Sequence, residues 1–400
     1  MKHNGDNALN KSLYNSFYVW ARFSFYLLFF FLIICCRQEQ IPSDHPSTYL
    51  ISEVSVYQNP KSLTGESVYL SDEMIIGPIF RIRQLQDNIF FGMQLNQNQY
   101  LAALIDIREE KILREIIPPG NAPLELISIF DYFIHQDSFY VIDYLSRRMI
   151  ATSIDSLVRS PKELTPENSR QYAVNTSFPI VGNITRAGDE IITKNYDYNH
   201  PDSAFARLDP YTLEAINYFG KHPFPEGSGY RDHRLRLAEN LCDIMARPTG
   251  DRYVCVYKYS DLLEIYDSDN QKIRSIYGPH LDPPVLSEST IREFEPRPVR
   301  DKTWYGYRTV VAKEDGFYVS YSGKKEPAAE PANEDEFDLE TDISAITTIL
   351  KFDWNGELLE RYELDVPIGN FEVDEESRLI IGLDIYSESS WIKFPISRGR

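Results

Sequence analysis

The chain has 400 residues, 42% of them apolar and 25% charged, which supplies a large core and sets it apart from disordered sequences. Its formal net charge is −19, a balance that argues against nucleic acid as a partner and against docking on anionic lipid through a basic patch. Aromatics reach 13%, and the 27 Tyr outnumber the 22 Phe, an enrichment that suits half-buried strands.

The first element in the chain is a leader. Phe23 to Ile34 is an apolar run preceded by Arg22, too short for a spanning helix and suited to a signal-peptide core. Cys35 and Cys36 follow, then the polar stretch Arg37-Gln38-Glu39-Gln40, an arrangement that looks like a bacterial lipobox. Cys36, with the small Cys35 before it, fits lipidation better than Cys35, which follows Ile34; a signal peptide cleaved elsewhere, or a short membrane anchor, is the alternative. Residues 1–36 are therefore expected to be a lipoprotein signal peptide and 37–48 a linker. Because 1–36 carry Lys2, Lys11 and Arg22 against Asp6, the mature chain would be more acidic still.

From residue 49 onward the sequence reads as strands. Asn88–Met93, Ser138–Asp143, Glu190–Lys194, Arg252–Tyr257, Gly316–Tyr321 and Ser377–Leu383 are short β-rich runs bounded by turn residues, with hardly any helical periodicity between them. Each is followed by a strand that ends near an Asp and turns into another. The hairpin over 206–222 and the hairpin over 264–280 align with Asp209 and Asp267, Gly220 and Gly278, and His222 and His280 at one constant spacing. Weaker copies place turn aspartates at Asp106, Asp155 and Asp353. An Asp carboxylate accepts backbone N–H groups two residues on, so these residues are expected to fix the turn between the third and fourth strands of a repeating unit.

A repeat of about 50 residues with four strands per unit is a propeller blade. The fold expected is thus all-β, a six-bladed β-propeller over 49–398 with four antiparallel strands per blade. The last blade would take strands at Asn370–Val373, Arg378–Leu383 and Ser390–Ile396, closed by an N-terminal strand near Tyr49–Tyr57. Seven blades are possible if the long gap between Asp267 and Asp353 hides one. Residues 324–342, rich in Pro, Ala and acid, read instead as a flexible loop insertion. Calcium is conceivable at Glu334, Asp335, Glu336 and Asp338, but the spacing matches no EF-hand, so no cofactor is expected. Cys242 and Cys255 fit neighbouring antiparallel strands; they read as two buried thiols, with a disulfide left open in an oxidising compartment.

The Cys35-Cys36 leader, the Ile-Asp and Phe-Asp hairpins and the Pro-Gly loop from Ile117 to Glu125 together resemble the TolB-like six-bladed β-propeller lipoproteins of Bacteroides-type Gram-negative bacteria. The resemblance implies a propeller in the cell envelope, held by its lipid on the periplasmic or the surface side of the outer membrane. It brings no catalytic residues.

Chemistry is sparse in the sequence itself. No HExxH, GxSxG or close Cys/His set appears, and Gly227-Ser228-Gly229 lacks the context of a phosphate loop. The pair His222 and His280 should emerge on one face, in loops leading to the next blade. With Tyr230 and Trp304 as stacking rings, and His200, Arg231, His233, Arg234 and Arg236 nearby, they form a candidate pocket for an anionic or sugar-like ligand. Packing roles, His at turns and Trp in a blade core, are the plainer alternative. The function expected is a monomeric binding or scaffolding module for an envelope protein, peptide or glycan. The rival is a lactonase- or lyase-like propeller enzyme acting on a sugar or ester at the central channel, and three or four convergent polar side chains at the channel mouth would favour it.

Overall fold

A computed structural model of the chain describes residues 48–70, 79–94, 100–135, 137–159, 164–174, 184–195, 197, 199–223, 237–280, 282–286, 298–299, 301–325, 345–385 and 390–397. The leader with Cys36, most of the linker, and residues 326–342 of the acidic insertion lie outside them.

Strands dominate, and they assemble in units of four. Blade 1 runs Ile79–Gln86, Ile89–Gln94, Ala102–Asp106, Lys111–Ile116, and blade 2 runs Asp131–His135, Ser138–Asp143, Arg148–Ser153, Ser169–Ala173. Blade 3 is Thr185–Ala187, Glu190–Lys194, Phe205–Leu208, Ala215–Phe219, and blade 4 is Cys242–Ala246, Arg252–Tyr257, Leu262–Asp267, Lys272–Tyr277. Blades 5 and 6 share one eight-stranded sheet because the strand Leu358–Asp374 serves both. Its first half is the outer strand of blade 5, after Trp304–Ala312, Gly316–Lys325 and Ile346–Asp353. Its second half is the inner strand of blade 6, which continues through Leu379–Asp384 and Ser390–Pro395 to Glu66–Tyr69.

The core shows why six units close on themselves. Neighbouring residues on a buried strand face opposite sides of the sheet. Phe91 therefore packs against Tyr132 and Phe139 of blade 2, while Phe90 packs against Ile381 and Trp391 of blade 6. The same alternation recurs at Ile191 and Ile192, and at Phe317 and Tyr318. The buried apolar residues fall into six clusters, one at each seam from blade 1/2 round to blade 6/1. A ring of mutually burying blades leaves no sheet face exposed to water.

An N-terminal strand closes the ring, but it is Glu66–Tyr69, antiparallel to Ser390–Lys393. The stretch around 49–57 does something else. Thr48–Leu50 lies parallel to Ser275–Tyr277 on the outer edge of blade 4, and Ile51 drops into the blade 4/5 core before a helical turn at Ser55–Gln58. The turn aspartates behave as expected at four of five places. Asp106, Asp209, Asp267 and Asp353 each accept backbone N–H groups inside the turn between third and fourth strands. Asp155 does not: a short helix, Ile154–Arg159, occupies that turn, capped by Ser153, and Asp155 pairs with Arg159 on its surface. Cys242 and Cys255 are buried free thiols, opposite Tyr257 and Ile244 respectively in the strand register.

All six inner strands start on the same side, called the top face here. It carries the connections between blades and the turns between second and third strands.

Candidate functional site: the channel and the rim of blades 4 and 5

The inner strands leave a central channel with a cavity of about 910 Å³. Each inner strand has one edge paired within its blade and one edge facing the channel, whose amides need acceptors. Polar side chains of the preceding blade supply them. Asp131 of blade 2 accepts the N–H of Ile184 at 2.7 Å, and Thr185 of blade 3 accepts that of Ala246 at 2.7 Å. From blade 6, Asn370 accepts the N–H of Ile82 at 3.2 Å, and Glu372 that of Gln84 at 3.3 Å.

Basic side chains complete these brackets. Asp131, 1% exposed, also accepts the N–H of Tyr132 and lies 3.4 Å from Arg81. Burial pushes its carboxyl up, and Arg81 with the two amides pulls it back. Glu372 lies between Lys313 at 3.2 Å and Arg83 at 3.6 Å, and Lys258 pairs with Asp243 at 3.1 Å. Acidic and amide groups do converge on the channel, but Asp131, Asn370 and Glu372 are engaged in holding blades together. Such carboxylates are positioned for structure, in contrast to a catalytic acid kept available to substrate.

The residues singled out from sequence lie elsewhere. His222 and His280 both emerge on the top face, in the connections that follow blades 3 and 4. Each makes its own contacts in a different blade. His222 is buried, with Nε2 3.1 Å from the carbonyl of Pro201. His280 stacks on Trp304, their ring centroids 3.4 Å apart, and the ammonium of Lys325 lies 4.7 Å over the same indole. Within this structure the indole is thus engaged by a stacked ring and by an ammonium. Burial lowers the His280 pKa, and the charge of Lys325 adds to the effect. Tyr230, Arg231, His233, Arg234 and Arg236 lie outside the described residues. His200 stacks on Tyr218 at 3.9 Å, within blade 3. Among the described residues no group of three or more His, Cys, Asp or Glu could hold a metal ion.

Two buried features had no signal in the sequence. Beneath His280, Asp261 accepts the His280 N–H at 3.1 Å and the Tyr321 hydroxyl at 2.8 Å through one oxygen, while its other oxygen is buried without a partner. Burial pushes its carboxyl up to about 7. Lys194 is fully buried, donates to the Asn240 carbonyl and lies over the Tyr257 ring, and burial lowers its pKa.

Comparison with known proteins bears on the fold. Residues 244–376, from the inner strand of blade 4 into blade 6, match the family described as TolB-like 6-blade propeller-like. That match spans about a third of the chain. A candidate exported protein of Bacteroides fragilis is similar at 13% identity and a TM-score of 0.51, over 88% of this chain and 99% of that one. A member of the DUF4221 family from Bacteroides vulgatus is similar at 11% identity and a TM-score of 0.48, over 83% and 96%. Virginiamycin B lyase from Staphylococcus aureus is similar at 12% and 0.45, over 84% and 100%. No curated protein matches the sequence. At 13% identity the likeness to the Bacteroides fragilis protein speaks for the fold alone and not for an activity.

Proposed function

We propose that the chain is an envelope-anchored binding module, held by a lipid on Cys36, whose top face docks a protein or peptide partner. The leader before Cys36 supports the anchoring. One observation carries the docking: of the eight large apolar side chains most exposed among the described residues, Tyr69, Phe80, Ile127, Leu145 and Val285 belong to top-face connections or to the channel mouth. Exposed apolar side chains gathered on one face mark interaction surfaces.

The test is photo-crosslinking in intact cells from a benzophenone side chain at Phe80 or Leu145, against the same group at Tyr211 or Leu359 on turns and edges away from the top. Discrete adducts from the first pair alone are expected. Equal adducts from both pairs, or adducts from the second pair only, would contradict the reading. In a Cys36→Ser chain the protein should leave the membrane fraction.

A further inference from the structure

The channel differs in charge from the molecule around it. Among the described residues that line it, seven are Arg or Lys and four are Asp or Glu, in a chain with a formal net charge of −19. Two of those acids, Asp131 and Glu372, are held by backbone amides and by basic side chains of neighbouring blades. A third, Asp243, lies against Lys258. The fourth, Asp189, is fully exposed at the lower rim, 3.6 Å from Arg186, whose own side chain is largely enclosed. Basic groups thus outnumber acidic ones in the lining, with Arg247 also paired to Asp251 beside it, and concave walls of low dielectric strengthen the field of the groups they enclose.

The size of the cavity narrows the occupant. About 910 Å³ is the scale of a pocket for one small organic molecule. Arg186 on the blade 3 inner strand and Arg308 on the blade 5 inner strand both line it. Planar guanidinium forks grip carboxylate and phosphate groups through paired hydrogen bonds. We infer that the channel binds a small organic polyanion, one carrying two or more carboxylate or phosphate groups. This deepens the reading of the propeller as a binding module and rests on it.

The test is calorimetric titration of the full chain, purified from membranes in detergent, with myo-inositol hexakisphosphate and with trigalacturonate, and neutral trigalactose as the control. Either anion should bind, and raising salt from about 50 to about 300 mM should weaken it. Which anion binds more tightly identifies the preferred group. Arg186→Gln with Arg308→Gln should weaken binding by about tenfold or more, and each single change by less. Lys221→Gln, on the exposed connection after blade 3, should leave it unchanged, and thermal midpoints recorded beside each titration separate lost binding from lost fold. No heat with either anion, equal binding of trigalactose, or an affinity untouched by the arginine changes in a folded chain would overturn the inference. Top-face crosslinks that persist in the double variant would then leave the docking surface standing. Anion binding without such crosslinks would remove the docking surface and keep the channel site.

Discussion

Two buried aspartates show how differently this propeller uses the same side chain. Asp131, in the channel, has both oxygens occupied, by two backbone amides and by Arg81. Asp261, at the rim of blades 4 and 5, is equally enclosed, but only one oxygen is occupied, and among the described residues no cation pairs with it. The first is a bracket between blades, where Arg81 and two amides counter the upward push of burial. The second is a neutral acid at mild pH, which becomes a buried charge when it ionises. Burial alone does not decide what a carboxyl does; the number of donors aimed at it does.

The largest effect should come from removing the bracket. Asp131→Ala leaves Arg81 and the Ile184 amide buried without their acceptor, and unfolding in urea should show a loss toward the upper end of ~3–5 kcal/mol. A loss below about 1 kcal/mol would mean that the inner strands are held by their apolar seams alone.

Asp261→Asn should act in the opposite direction, and increasingly so as pH rises. The folded carboxyl titrates at about 7, above its ordinary 3.8, so the native state holds a proton that the unfolded chain lacks between those values. Stability from this group therefore falls as pH rises through that window, and the cost is complete above it. At about pH 8.5 the substitution should stabilise the chain by up to about 4 kcal/mol, and at about pH 5 by much less, in paired urea melts. A gain that does not change with pH would show that Asp261 ionises normally.

Gly306 tests the same seam by shape. A Cβ there would come 1.9 Å from the Ser260 carbonyl oxygen, so Gly306→Ala should cost ~2–3 kcal/mol by forcing the blade 4 turn away from blade 5.

The smallest effects separate two aspartates that look alike in sequence. Asp209→Ala removes an acceptor for the Tyr211 and Thr212 amides and should cost about 1 kcal/mol. Asp155→Ala loses one exposed ion pair with Arg159 and should stay below about 0.5 kcal/mol.

That last contrast also marks how far the sequence can be read. Turn aspartates and the second strands of all six blades are local signals, visible because an Asx turn and an apolar run each need only a few adjacent residues. Asp155 fails because Ser153, two residues earlier, caps a helix that the repeat did not anticipate. The closing strand Glu66–Tyr69 is weak in sequence since only Val68 of its four residues is buried. The stretch before it reads more strongly because Ile51 is a core residue of another seam. The channel was not legible at all. Arg81, Asp131, Arg186 and Glu372 span most of the chain, with no spacing to link them. Only the register of the inner strands brings them together.

The most direct measurement is the affinity of an Asp131→Asn chain for inositol hexakisphosphate, taken beside its thermal midpoint. If channel acids hold the blades and channel cations hold the ligand, the midpoint should fall while the affinity stays or rises, since one negative charge has left the channel. An unchanged midpoint with the affinity lost would place Asp131 in contact with the ligand and contradict the account.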